Sequence, residues 1–471
     1  MSKLLPNLPI NDLTTENDYI GIIEKGKLLK SFFLNNKHEF SKIKIFSIYG
    51  EWGSGKSTLM KYLEKELKGS FNTFFFESWE FESDNNLANS LLEYLTIKTD
   101  SKTDELLKNG SKLLEGFAKS TTFKTPFANF NMKTLAKEVD EPSFLELKDN
   151  FKSDFENWEN KITTKDKSPD YNIVFIDDLD RCEPENILNL LSAMKLFFTY
   201  GKKTIFLCGI DKKAIREAVK TKYGEIVKAN EYLEKVFDIS FSMPESVDST
   251  KLVNLYFDDD EKVGEEKLGN LVSNFFEQLH FKNPRRIKKI LNKYLIIKRL
   301  KESEDTENLV LPNIIHKESG TLFETYLTLY LLILNEFHPY IFKSMFKLEE
   351  KKVNFIDLLD KKEKSIQDKQ RNREELLEYF DDSIFSMKFK NFSSTDFENF
   401  KANIYPVYAD DISVYIFRNL DYFIGTFNVK SKNIEYFFTY FYLWNEKEFI
   451  RDLSNSNYSM SDYKKMISNL I

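Results

Sequence analysis

The sequence predicts an α/β protein, a parallel sheet covered by helices, carrying an insertion and followed by a large C-terminal helical region. Three observations support this. Between residues roughly 40 and 245, short apolar runs of strand length alternate with segments of helical periodicity, the rhythm of βαβ units. One of those runs, Ile173-Val174-Phe175-Ile176, is continuously apolar, as a strand buried on both faces must be. After Met243-Pro244 the strand signals stop and helical patterns continue to the end.

Residues 1 to about 40 read as a loose leader and a helix marked by Ile22-Ile23, Leu28-Leu29 and Phe32-Phe33. Ile43 to Tyr49 alternates apolar with polar residues and runs into glycine, so it is expected to be a strand ending in a turn. A helix follows from Ser57 to Leu67, then a strand over Thr73 to Glu77 and a helix around Leu87 to Leu95. Residues about 97 to 145, rich in Lys, Ser, Thr and Asp, read as the insertion, and an amphipathic helix over Leu145 to Ile162 returns the chain to the core. Tyr171 to Asp177 is the buried strand. The next helix is opened by Pro184 and closed by Gly201. Lys203 to Gly209 is a further strand, and Asp211 is placed to cap the helix that holds Ala214, Ile215, Ala218 and Val219.

These elements predict four regions: a leader and helix over 1–40, a core over 41–245, a helical lid over 246–300 and a helical domain over 301–471. The charged run Lys361 to Arg373 reads as a solvated helix face. The aromatic groups Tyr436-Phe437-Phe438 and Tyr440-Phe441-Tyr442 read as helix packing or a partner surface.

A chain of 471 residues has room for two or three domains, and 41% hydrophobic against 30% charged residues places it among globular proteins. The formal charge of −7 has the wrong sign for a dedicated nucleic-acid binder, although a local basic patch stays open. Two cysteines, Cys182 and Cys208, and four histidines lack metal-ligand spacing, which fits a cytoplasmic protein without zinc or disulfides. The N-terminus lacks signal-peptide features. The most apolar run, Tyr326 to Leu334, falls well short of the roughly 20 residues that cross a bilayer, so no membrane association is expected and this run reads as a buried helix.

The segment Gly50-Glu51-Trp52-Gly53-Ser54-Gly55-Lys56-Ser57 has the G-x-x-x-x-G-K-[ST] pattern and lies between a strand and a helix. Gly50, Gly53 and Gly55 let the backbone curl so that N–H groups of the loop, including those of Glu51, Trp52 and Ser54, meet phosphate oxygens at a helix N-terminus. Lys56 supplies charge to the β- and γ-phosphates, Ser57 offers a hydroxyl to Mg²⁺, and Thr58 completes the nucleotide-binding set. This is a P-loop, and its expected ligands are ATP and Mg²⁺. The buried strand delivers Asp177 beside it, the Walker B arrangement, where Asp177 is expected to hold the Mg²⁺. Asp178 is the candidate to orient and deprotonate water, since burial beside another carboxylate raises its pKa. The competing reading for Asp178 and Asp180 is a turn cap.

Taken with Phe76-Glu77-Ser78-Trp79-Glu80, Asp177-Asp178-Leu179-Asp180-Arg181-Cys182, Gly209-Ile210-Asp211, Tyr232-Leu233-Glu234-Lys235-Val236-Phe237 and Asn283-Pro284-Arg285-Arg286, the chain resembles the KAP family of P-loop NTPases over roughly residues 18 to 300. The resemblance implies an ATPase switch distantly related to AAA-type and signal-transduction ATPases. Many bacterial members carry transmembrane helices between the two Walker motifs, whereas the inserted part here is polar. Some bacterial members resemble phage-exclusion and defence ATPases, which implies an anti-phage role with a separate partner effector.

Arg181 lies just beyond the Walker B strand and can reach a γ-phosphate in its own subunit or a neighbour, or else form a salt bridge to Asp180 or a helix residue. Arg285 and Arg286 can act as phosphate sensors of a lid or, with Lys288 and Lys289, form a basic patch that contacts nucleic acid. A homo-oligomer sharing arginines between subunits is the expected assembly. Trp79 is expected to pack beneath the sheet. The alternatives to an ATP-hydrolysing switch are a nucleic-acid motor or clamp and a scaffold that holds ATP without turning it over.

Overall fold

The computed structural model describes residues 2–84, 86–99, 104–120, 143–164, 168–224, 226–244, 248–278, 281–302, 321–337 and 339. The chain divides into two compact units, Leu8–Asp248 and Met1–Asn7 with the chain from Ser249 onward.

The first unit holds five parallel strands, β1 (Ile45–Tyr49), β2 (Asn72–Glu77), β3 (Asn172–Asp177), β4 (Thr204–Ile210) and β5 (Ile239–Ser242), in the spatial order β2-β3-β4-β1-β5. Side chains alternate between two covered faces. Val174, Ile176, Phe206, Cys208 and Ile210 enter one apolar cluster, while Phe46, Ile48, Ile173, Phe175, Ile205 and Leu207 enter the other. Helices α1 (Ile22–Asn35) and α2 (Lys56–Leu67) supply the second cluster. The first is supplied by α3 (Leu87–Lys98), α4 (Asp104–Ser120), α5 (Phe144–Thr163), α6 (Pro184–Leu196), α7 (Lys212–Tyr223) and α8 (Ile226–Val236). Double burial explains why Ile173–Ile176 of β3 and Ile205–Cys208 of β4 are continuously apolar, with Asn172, Asp177 and Thr204 buried at the strand ends. It also means that the polar positions of the first strand region are buried. Ser47 Oγ meets Ser240 Oγ at 2.8 Å, and the Lys44 ammonium is buried and donates to the Gly201 carbonyl.

Local chemistry fixes the ends of these elements. Asp18 accepts the N–H groups of Ile22 and Ile23, both at 2.9 Å, and so caps α1, whose N-cap position is a glycine with no side chain to offer. Ser143 and Glu146 form a reciprocal capping box on α5. Pro184 opens α6, which ends at Leu196 and passes through a short 3-10 turn before Gly201. Within the stretch read as an insertion, residues 104–120 form α4, which buries Leu106, Leu113, Leu114 and Phe117.

The second unit contains α9 (Thr250–Asn254), a hairpin of β6 (Lys262–Val263) with β7 (Glu266–Lys267), α10 (Leu268–Gln278), α11 (Pro284–Glu302) and α12 (Thr321–Phe337). The hairpin corrects the expectation that strands stop at Met243-Pro244; its runs are too short to leave a periodic signal. The N-terminal residues belong here. Leu5 N–H donates to Asn292 Oδ1 at 2.9 Å, Asn292 Nδ2 returns a bond to the Leu5 carbonyl at 2.8 Å, and Lys288 and Arg299 reach the carbonyls of Pro6 and Ser2. On α12, Thr325, Thr328, Leu329 and Leu331 to Ile333 are buried, as a core helix requires. Among the described residues no helix is long and apolar enough to cross a membrane. The segments Lys361 to Arg373, Tyr436 to Phe438 and Tyr440 to Tyr442, with most of the expected domain over 301–471, lie outside the described residues.

Candidate functional site

β1 ends at Tyr49, and the chain turns through Gly50–Gly55 into α2. The turn depends on glycine. Gly53 and Gly55 have φ of 84° and 98°, values that L side chains rarely adopt. A Cβ on Gly55 would lie 2.9 Å from Ile22 Cδ1, and one on Gly50 would collide with Ser54 Oγ. The loop is tied at both sides: Gly50 N–H donates to the Ile210 carbonyl at 3.2 Å, and Trp52 N–H donates to Asp211 Oδ2 at 3.2 Å. Asp211 uses its other oxygen to cap α7 through Lys213 N–H at 2.8 Å, so the cap reading holds and one carboxylate serves two elements. Glu51 and Trp52 are exposed, Trp52 at 57%. The Thr58 hydroxyl is buried against the protein, where it accepts the N–H of Ile10 at 3.2 Å.

The sheet order brings the second half of the site alongside. β4 separates β1 from β3, and all three strands end at the same edge because they are parallel. Lys56 is 6% exposed and donates to the carbonyls of Gly50 at 2.9 Å and Glu51 at 3.2 Å. Its ammonium also lies 3.6 Å from Asp180 Oδ2, a carboxylate only 7% exposed. Asp177 is buried at the end of β3. Burial pushes its carboxyl pKa up, while hydrogen bonds from Ser57 and from the Asp178 N–H oppose the rise. Its Oδ1 is buried without a hydrogen-bond partner, as is Ser54 Oγ. Position 209 must be small, since a Cβ there would stand 2.7 Å from Met60 Sδ and 3.1 Å from Asp177 Oδ1.

Asp178 is the one non-glycine residue among the described residues with positive φ, at 56°. Burial and the neighbouring Asp177 push its pKa up to about 6, with the Arg181 guanidinium pulling the other way. Arg181 Nη2 lies 3.0 Å from Asp178 Oδ1, and the guanidinium sits over the ring of Trp79 at 5.0 Å.

Three expectations are corrected here. Trp79 does not pack beneath the sheet; it is 55% exposed, because the chain leaves β2 in a 3-10 turn that carries the indole out to meet Arg181. Arg181 pairs with Asp178 rather than with Asp180 or a helix residue, because the 3-10 turn over Leu179–Arg181 brings the side chain back over the turn's own start. Asp180 does not merely cap a turn, since it faces Lys56. Sequence reasoning also missed Glu77, aligned with Asp177 in the β2–β3 register and 3.1 Å from Lys61 Nζ. Its place at the end of a strand next to the Walker B strand was the available signal.

Arg285 and Arg286 belong to the helical unit and have partners there: Arg285 donates to the Asn7 carbonyl at 3.3 Å, and Arg286 lies over the Phe337 ring at 5.4 Å. Lys289 pairs with Glu336 and Lys288 donates to Pro6, so the basic quartet is largely engaged within the chain.

Nucleotide and Mg²⁺ fit the residues present. The orphaned Asp177 Oδ1 beside Ser57, the unpartnered Ser54 Oγ and a loop that excludes Cβ atoms at Gly50 and Gly55 form a set that wants a ligand with oxygens and a cation.

Among curated proteins, the chain is 39% identical over 113 residues to "Uncharacterized protein MJ0181" of Methanocaldococcus jannaschii, covering 22% of this chain and 44% of that protein. It is 29% identical over 175 residues to MJ0182 of the same organism, covering 30% of this chain and 90% of that protein. The chain thus spans less than half the length of the first of these relatives. Among solved structures it is similar to the Aeropyrum pernix ORC2 protein in its ADPNP-ADP complexes, at 13% identity and a TM-score of 0.31 over 65% of this chain and 71% of that one. The ADP form of the same protein gives 14% identity and a TM-score of 0.32. Scores this low carry no argument about function. The KAP family P-loop domain matches residues 33–301, more than half the chain and all of the site built from β1 and β3, and the chain belongs to that family.

Proposed function

We propose that this protein binds ATP with Mg²⁺ on the loop between β1 and α2 and hydrolyses it, as a switch that assembles with copies of itself. The observation that carries the reading is the convergence of Lys56, Ser57, Asp177 and Asp178 at one sheet edge, with a buried Asp177 oxygen left unsatisfied. The loop N–H groups not already tied within the protein, as those of Gly50, Trp52 and Ser54 are, bind the phosphates with Lys56, and Thr58 anchors the start of α2 against Ile10. Ser57 and Asp177 hold the Mg²⁺, which when bound neutralises charge on the β- and γ-phosphate oxygens. Asp178 takes the proton of the attacking water, a role suited to a carboxyl raised to about 6. For this Asp178 must leave Arg181, and the freed guanidinium becomes available to a terminal phosphate in its own subunit or a neighbour. Homo-oligomer formation, a cytoplasmic location supported by two free buried cysteines, and service as the ATPase component of an anti-phage system with a separate effector extend this reading; the defence role is supported by the family resemblance.

A second reading, an ATP-bound scaffold that does not turn over, is favoured by one observation, the hold of Arg181 on Asp178. Turnover separates the two. The wild type is expected to show Mg²⁺-dependent ATP hydrolysis. Lys56→Ala should lose nucleotide binding while keeping its fold. Asp178→Asn should bind ATP yet hydrolyse it about 10²-fold or more slowly and accumulate as the ATP-bound assembly by mass measurement. Unimpaired hydrolysis by a folded Lys56→Ala sinks the site assignment, and absence of turnover with intact ATP binding selects the scaffold.

A further inference from the structure

We infer that Asp180 is a specificity-determining residue that weakens this site's grip on nucleoside triphosphate relative to diphosphate, by competing with the terminal phosphate for Lys56. The inference rests on the proposed nucleotide site. A lysine ammonium has three donor directions. In this structure it donates to the carbonyls of Gly50 and Glu51, and Asp180 Oδ2 stands at an ion-pair distance of 3.6 Å. Asp180 is the only one of the three partners with a full charge, and both members of the pair are almost wholly shielded from water. Their attraction is therefore less screened than that of a surface pair.

Position decides which phosphate feels this carboxylate. Asp180 sits on the turn that follows β3, two residues beyond Leu179's predecessor Asp178 and three beyond Asp177, whose carboxylate is joined to Ser57. Ser57 and Asp177 would hold the cation that accompanies the nucleotide, and Lys56, the residue assigned to the β- and γ-phosphates, is the one that Asp180 faces. A diphosphate lacks the γ-phosphate. Both nucleotides draw on Lys56 through the β-phosphate, but triphosphate adds a γ-phosphate, so it competes harder with Asp180 for Lys56 and brings more negative charge close to a buried carboxylate. Recapture of Lys56 by Asp180 then favours departure of orthophosphate after hydrolysis. An isolated P-loop motif contains no such competitor; it is supplied by the fourth residue of Asp177-Asp178-Leu179-Asp180.

The test is calorimetric titration of the full chain with ATP and with ADP, each with and without Mg²⁺. The proteins are wild type, Asp180→Asn, which keeps the shape and removes the charge, and Asp180→Glu, which keeps the charge. Thermal melts establish that each is folded, and Asp180→Ser replaces Asp180→Asn if the latter is not. Asp180→Asn is expected to tighten ATP by about tenfold and ADP by less than about threefold, the scale of one partly screened buried charge. Asp180→Glu should keep the wild-type ratio. A merely structural role would move both nucleotides alike, so an unchanged ratio overturns the inference. So does a loss of ATP affinity confined to the Mg²⁺ titrations, which makes Asp180 a ligand of the metal's water shell instead. If the wild type binds neither nucleotide, the functional reading itself fails; if it binds both and the ratio stays fixed, this inference alone fails.

Discussion

The two halves of the site are built by different means. The loop from Gly50 to Gly55 is made by shape: two glycines with positive φ and a third that excludes a Cβ, with the polar work left to backbone N–H groups. The turn from Asp177 to Arg181 is made by charge, three carboxylates and a guanidinium held in specific pairings around a strained Asp178. Shape fixes one conformation. Charge pairings can be exchanged, so the turn after β3 is where the site can change state while the loop stays as it is.

The largest expected effect tests the shape half. Gly55→Ala places a methyl at φ 98° and 2.9 Å from Ile22, and should reduce ATP affinity by about 10²-fold or more with a stability loss of about 1 to 3 kcal/mol. Near-wild-type binding by this variant would break the contrast between the halves.

Next comes the charge at Asp178. Its folded pKa is raised to about 6, so its favourable contribution to folding is complete at low pH and is lost as pH rises through about 6. Asp178→Asn should therefore be more stable than wild type above pH 6, by about 1 to 3 kcal/mol in denaturant melts at pH 8, with the gap closing toward pH 4. In wild-type kinetics the same group predicts kcat/KM rising with pH through about 6 and levelling above it, a limb absent in Asp178→Asn. A smaller effect belongs to Asp211→Ala, which removes a helix cap and the tie to Trp52; about 1 kcal/mol is expected, read from thermal melts. The smallest is Trp79→Ala. Removing the ring from beneath Arg181 should cost about 0.5 to 1 kcal/mol, and a larger loss would mean that Trp79 is structural after all.

The same contrast explains what could be read from the chain. Every strand of the parallel sheet up to β4 carries a run of residues that fits no other place, and Gly50 to Ser57 declares itself because a backbone-built anion site requires particular residue types at particular spacings. The choice among partners was not legible. Nothing in Asp177-Asp178-Leu179-Asp180-Arg181 says that Arg181 folds back to Asp178 while Asp180 faces Lys56, because a 3-10 turn and a distant loop together decide it. Helix α4 lies in a stretch whose overall composition is dominated by Lys, Ser, Thr and Asp, although its own Leu106, Leu107, Leu113, Leu114 and Phe117 recur at helical spacing and pack against α3 and α5 as core. Trp79 is not legible for a third reason: its bulk and apolarity point to the core, while the 3-10 turn after β2, which the sequence does not announce, carries it to the surface.

The bond between Leu5 and Asn292 joins residues 287 positions apart. During synthesis at about 5 to 20 residues per second, Leu5 is made roughly 15 to 60 seconds before Asn292. The segment from Ser2 to Asn7 is thus made early relative to α11 and seated late, after the parallel strands and phosphate loop have all been translated. Asn292→Ala, which removes both bonds to Leu5, would act on this last step, slowing completion of the helical unit while leaving the earlier-made sheet to form on its own schedule.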